Sequence, residues 1–186
     1  MDRVPGHLRT AIKAKSDAKR IKILSLGDPA VGKSCLIKRY CEGRYVPEYI
    51  STIGIDYGVK GCVVGGDEVK VNFWDIGGSE YYKAIRTEFY KDTHGVLLVV
   101  DASQDVESIQ GAVDRWLDEL KAFVDPIPLV FVVGTKTDLR TGGVARELGE
   151  ILEFRYFETS AVTGEGVSQL FDALFDEVLI RLKVPE

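Results

Sequence analysis

The sequence predicts a three-layer α/β domain in which helices cover both faces of a mostly parallel sheet with one antiparallel strand. Three observations predict it. The segments GVLLVVD (95–101) and IPLVFVV (127–133) are almost wholly apolar, as strands are when helices cover both faces. Apolar stripes of helical period alternate with the strands. Between residues 59–64 and 69–74, both strand-like, GGDE (65–68) is a hairpin signal and supplies the antiparallel strand. A chain of 186 residues holds one such domain with a full core and is too short for two ordinary ones.

The elements follow in order. Residues 1–19 read as a flexible basic arm and 20–183 as the domain. IKILSL (21–26) is a strand that runs into Gly27, and residues 34–41 read as a helix. After the hairpin and strand 95–101, Ile109, Val113, Trp116, Leu117, Leu120 and Phe123 share one helical face. Strand 127–133 and the strand-like residues 154–157 come next. Val167, Leu170, Phe171, Leu174, Phe175, Val178, Leu179 and Leu182 then mark the last helix, and the aromatics of both stripes are read as core.

Charge and composition narrow the function. Residues 1–22 hold seven Lys/Arg against two Asp/Glu, while the whole chain carries −5, so the body is acidic. An acidic body argues against nucleic acid, whose phosphates need a dense basic face. The basic arm is either a solvated tail or a contact for acidic partners or anionic lipid. Cys35, Cys41 and Cys62 form no Cys-x-x-Cys and suit reduced thiols, which points to the cytoplasm. Neither a membrane-length apolar run nor a signal peptide is present, and neither Met1-Asp2 nor the end LKVPE offers a site for myristoyl or prenyl groups. The expectation is a cytoplasmic chain with no direct lipid anchor, brought to membranes by partners.

The strongest motif is Gly27-Asp28-Pro29-Ala30-Val31-Gly32-Lys33-Ser34, which fits G-x-x-x-x-G-K-[ST] with a strand before it and a helix after it. Converging N–H groups and the helix N-terminus, reaching to Cys35, favour phosphate there. Lys33 would reach the outer phosphates, Ser34 would give its hydroxyl to Mg²⁺, and Gly32 lets the backbone come close. Pro29 lacks an N–H, which either removes a phosphate donor or only fixes φ.

Four further stretches line up behind it: TIGIDY (52–57), DIGGSE (75–80), TKTD (135–138) and TSAV (159–162). Together these resemble a small GTPase of the Ras superfamily over about residues 20–183. TIGIDYG and YKDTHGVLLVVD are similar to Rab proteins. RYCEGRYVPEY, EFYKDTHGV and YFETSA are similar to the RJL group, Rab-like GTPases of which some carry a C-terminal DnaJ domain; none is read in these residues. The resemblance implies a three-layer P-loop GTPase fold with a six-stranded sheet, binding GTP or GDP with Mg²⁺. It implies that Ser34, Thr52 and Asp75 hold the metal, that Gly78 offers its N–H to the γ-phosphate, and that Tyr45 and the Lys136 stem lie against guanine. Asp138 would accept from guanine N1–H and its amine, and the Ala161 N–H, beside Ser160, would donate to O6. Effectors would dock through residues 45–57 and 76–90, with exchange and activating factors as further partners. The similar group has been linked to the cilium or flagellum base, and the nucleus is a further destination for a chain recruited by partners.

Departures from the family pattern bear on activity. Thr135 stands where the family has Asn and can make fewer bonds between the base and phosphate loops. Val162 replaces a Lys, which loses a stacking stem. Ser79 replaces the Gln that positions the attacking water. With Gly78 and Lys33 it makes up the catalytic set, in which it is the degenerate member. The 21 residues between Asp138 and Ser160 are few, so a short helix is expected there. Three readings stay open: a switch with weak hydrolysis, an interaction module that keeps nucleotide as a structural cofactor, and an ATP-using P-loop kinase. Asp138 and the Ser160-Ala161 loop disfavour the last.

Overall fold

The computed structural model describes residues 19–48, 50–140 and 152–183. The elements are β1 (Lys19–Leu26), α1 (Lys33–Glu42), β2 (Ile55–Val64), β3 (Asp67–Ile76), α2 (Lys83–Arg86), β4 (Gly95–Asp101), α3 (Val106–Phe123), β5 (Leu129–Thr135), β6 (Arg155–Glu158) and α4 (Val167–Lys183). Short 3₁₀ turns flank α2 and follow β5. The sheet order is β2-β3-β1-β4-β5-β6. Strand β1 pairs in parallel with β3 and β4, while β2 runs antiparallel to β3 across the two-residue turn Gly65-Gly66. Both turn glycines take positive φ (57° and 89°), which matches the right-handed twist of a tight hairpin.

The three layers follow from alternation along buried strands. In β4, Leu97 and Val99 face α1 and α4, whereas Val96, Leu98 and Val100 face α3. Both sides of the strand are thus apolar, as the sequence predicts. Tyr40 of α1 stacks on Phe171 of α4 at 4.0 Å, which seals one face. On β3, Trp74 lies between Tyr57 (4.6 Å) and Phe89 (5.0 Å).

The expected elements are found, with β2 and β3 longer than the expected spans. Two residues of the helical stripes depart: Phe123 is 54% and Leu182 47% exposed. Each stands in the last turn of its helix, where the period continues past the residues that the core covers. Residues 1–18 of the expected arm lie outside the described residues, while Lys19 already pairs with Val69 in the sheet. The short helix expected between Asp138 and Ser160 falls largely on residues 141–151, also outside them.

His94 extends the β1–β4 pairing. Its N–H donates to the Lys22 carbonyl, and its Nδ1 accepts from the Lys22 N–H, both at 3.0 Å. Burial and the nearby Lys22 charge hold its pKa below the usual value. In the window between the lowered and ordinary values the unfolded chain binds the extra proton, so stability is full above it and falls as pH drops through it. Between about pH 7.5 and about pH 5 the melting temperature should therefore fall more steeply for the native protein than for His94→Asn, which keeps an acceptor and cannot titrate. Parallel slopes would show that His94 does not act as the neutral acceptor.

Candidate functional site

The site is built at the carboxyl ends of the central strands. After β1, Gly27, Ala30 and Gly32 take φ of 141°, 62° and 101°, which turns the loop back to start α1 at Lys33. A Cβ at Gly27 would sit 2.1 Å from the Val99 carbonyl oxygen, so glycine is required there. The helix start leaves N–H groups free to face an anion. Lys33 is buried, and its Nζ donates to the carbonyls of Gly27 (2.8 Å) and Asp28 (2.7 Å). Burial lowers its pKa to about 8.

Ser34, Thr52 and Asp75 come from α1, the loop before β2 and the end of β3, and they converge. The Ser34 hydroxyl lies 2.9 Å from that of Thr52 and donates to the Asp75 carboxylate. The other carboxylate oxygen, Asp75 Oδ1, is buried without a partner, and burial raises the Asp75 pKa. Two hydroxyls and one carboxylate make an all-oxygen donor set of the kind Mg²⁺ takes. A dication would satisfy the orphaned oxygen, and phosphate would satisfy the buried ammonium, so the residues fit both groups.

The loop after β3 closes over this centre. Gly77 N–H donates to the Gly54 carbonyl at 2.8 Å. A Cβ at Gly78 would lie 2.3 Å from the Gly27 carbonyl oxygen and 2.7 Å from Pro29 N, so this loop touches the phosphate loop backbone to backbone. The Ser79 hydroxyl accepts from Tyr81 N–H at 3.3 Å and caps the following turn. A cleft of about 330 Å³ opens between the loops; Pro29, Ala30, Gly32, Lys33, Ser34, Cys35, Tyr45, Thr52, Gly78, Ser79 and Lys136 line it.

The base side stands next to it. Asp138 accepts from the Ser160 hydroxyl at 2.6 Å, which in turn accepts from Thr163 N–H at 3.1 Å. Lys136 adopts a left-handed conformation, with its Nζ 2.7 Å from Asp101. Ala161 and Val162 form the turn beyond Ser160, and Val162 is exposed. Thr135 is buried behind the loop, where its hydroxyl donates to the Val31 carbonyl and lies 3.0 Å from that of Val100. The threonine therefore keeps a tie between base loop and phosphate loop.

Sequence reasoning missed several partners. Asp101 had a usable signal, since it is a carboxylate ending an apolar strand. Asp28 is gripped by Arg115 (2.7 and 2.8 Å) and Trp116 Nε1 (2.9 Å) of α3, and Arg86 is buried against Glu119. No local pattern marks these contacts.

A parallel-sheet domain with a glycine-rich phosphate loop, a hard-cation donor set and a separate base loop is a P-loop nucleotide-binding protein. The Ras family model matches residues 22–180, and the chain belongs to the Ras family, the small GTP-binding proteins. It is 45% identical over 170 residues to "DnaJ homolog subfamily C member 27" of Gallus gallus, covering 86% of this chain and 62% of the relative. It is 43% identical over 169 residues to the protein of that name in Danio rerio (86% and 61%). For Homo sapiens the figure is 43% over 170 residues (86% and 62%). These are the Rab-like, DnaJ-associated proteins that the motifs resemble, and the chain spans about three-fifths of their length.

The Thr135 tie has a measurable consequence. Thr135→Val preserves shape but leaves buried carbonyls without their donor, at a cost of about 1–3 kcal/mol. Urea unfolding should show a lower midpoint at unchanged slope. A native midpoint would show that the hydroxyl carries no such bond.

Proposed function

We propose that this chain is a GDP/GTP switch with slow intrinsic hydrolysis. The observation that carries the proposal is Ser79: its hydroxyl caps its own turn and lacks the reach of a glutamine amide. In phosphoryl transfer the protein contributes mainly positioning and charge, so an unheld water is costly. Glu80 offers no substitute, because its carboxylate engages Lys83 and Arg86, each at 2.9 Å. Ser34, Thr52 and Asp75 would hold Mg²⁺, which supplies charge neutralisation between the phosphates. Lys33 and the Gly78 N–H would orient the terminal phosphate, and Asp138 would select guanine over adenine. Exposed Ile50, Ile53, Tyr81 and Ile85 offer effectors an apolar face that depends on the loop arrangement.

Binding is tested first. Asp138→Asn should move preference from guanine toward xanthine nucleotides, read by competition against labelled GDP. Unchanged preference would remove Asp138 from base reading.

Hydrolysis is tested by single turnover of bound GTP. Ser79→Gln should speed it, on the order of 100-fold if a well-placed water is restored. If the rate does not change, and Pro29→Gly alone raises it, the proline ring and not the serine is what limits turnover. The reading of nucleotide as a fixed structural cofactor is permitted by Ser79, Pro29 and Thr135, each of which departs from the family pattern. It predicts equal Trp74 fluorescence with GDP and a GTP analogue, whereas a switch changes the packing of Tyr57 and Phe89 around that ring.

A further inference from the structure

Helix α3 holds both loops of the site from outside the cleft. Arg86, at the end of α2, is 1% exposed. Its Nε and Nη2 donate to the two oxygens of Glu119, at 2.7 and 2.5 Å. Its Nη1 donates to the Ser79 carbonyl at 2.7 Å, and Nη2 reaches Glu80 at 2.9 Å. The guanidinium lies over the Trp116 ring at 4.5 Å. Tyr90 donates to Glu119 at 2.5 Å, and Lys83 Nζ lies 3.5 Å from the same carboxylate. Trp116 in turn donates to Asp28 of the phosphate loop. One helix thus connects the phosphate loop, the Ser79 backbone and α2.

The location of the Ser79 bond matters most. Gly77 and Gly78 have no side chains and are held through the backbone alone: Gly77 N–H donates to the Gly54 carbonyl, and Gly78 is in backbone contact with the phosphate loop. The Ser79 carbonyl is the next fixed point along the chain, and it accepts one bond from Nη1 of the buried Arg86, whose Nε and Nη2 fork onto Glu119. Such a fork is geometrically exact in a way that a lysine ammonium is not. The same arrangement has Thr52 drawn in beside Ser34, so both loops stand closed.

We infer that Arg86 is a positioning residue for the response to the terminal phosphate: with Glu119 and Trp116 it latches the Ser79 backbone and thereby holds the Gly78 backbone beside the phosphate loop. This rests on the reading of the cleft as a GDP/GTP site. A latch that favours the closed loop strengthens binding of the triphosphate more than of the diphosphate, because only the former meets Gly78. A residue that merely supports the fold would affect both ligands alike.

The test is the affinity ratio of a non-hydrolysable GTP analogue to GDP, measured by displacement of labelled GDP with Mg²⁺ present. Arg86→Met should lower the ratio roughly tenfold, within the span usual for coupled sites. Arg86→Lys should not restore it, since an ammonium cannot make the fork. Glu119→Gln should lower it less, because an amide oxygen can still accept from the guanidinium. A ratio within about twofold of native for all folded variants overturns the latch, on the same scale of coupling. If Arg86→Met fails to fold, Glu119→Gln and Arg86→Lys decide by the same criterion. A native protein that binds neither nucleotide overturns the GDP/GTP reading itself, an outcome distinct from native binding with an unmoved ratio.

Discussion

The site depends on backbone meeting backbone at the end of β1. A Cβ at Gly27 would lie 2.1 Å from the Val99 carbonyl oxygen, and one at Gly78 would lie 2.3 Å from the Gly27 carbonyl oxygen. Three segments from distant parts of the chain therefore share a space that admits no side chain. The sheet order makes the meeting possible. With β1 between β3 and β4, the crossovers leave on opposite faces, and a crevice opens at the carboxyl ends of the strands. Asp75, Asp101 and Thr135 end their strands at the same edge, so chemistry from three strands faces one loop. A single methyl at either glycine would force the segments apart and open the cation set with them.

Within that space the charges are incompletely paired. Burial pushes Asp75 toward protonation and Lys33 toward the neutral amine, and the nearby opposite charge only partly offsets each shift. A dication and an anionic phosphate act in the opposite sense on both groups. Ligand binding and folding are then linked, because a ligand that binds only the native state stabilises it. The orphaned Asp75 Oδ1 is the geometric side of the same fact. Thr135 differs, since its hydroxyl is fully engaged within the protein and contributes rigidity without a ligand.

What the sequence revealed divides along physical lines. The phosphate loop, Thr52, Asp75 and Asp138 were legible because their chemistry sits in short runs at strand ends, where turn residues and polar groups interrupt an apolar pattern. The sheet was legible because doubly covered strands leave no polar positions. Contacts across 33 or 87 residues were not legible, as with Arg86 to Glu119 and Arg115 to Asp28. A helical stripe shows which face is apolar and is silent on whether a charged residue at its border meets solvent or another charge. Trp116 shows this well. Its place in the stripe predicts core, and it is 3% exposed, yet the polar atom of its ring reaches the phosphate loop. Phe123 and Leu182 fail for the converse reason, since periodicity does not report where the covering layer stops.

Sensing a phosphate and cleaving it make different demands on the loop after β3. Sensing needs a carboxylate, a backbone N–H and something to hold that backbone in place. In the proposed switch Asp75 and Gly78 would provide the first two, and the Nη1–H of Arg86, donated to the Ser79 carbonyl, would provide the third. Cleavage needs in addition a side chain long enough to orient water, and Ser79 instead caps the turn at Tyr81. Because the anchor acts on the main chain, it does not depend on which side chain residue 79 carries. Under the proposed function, such a chain would lose the hydrolytic side chain and keep the conformational response. In the proposed switch the loop geometry would thus separate the lifetime of a nucleotide state from the ability to distinguish it.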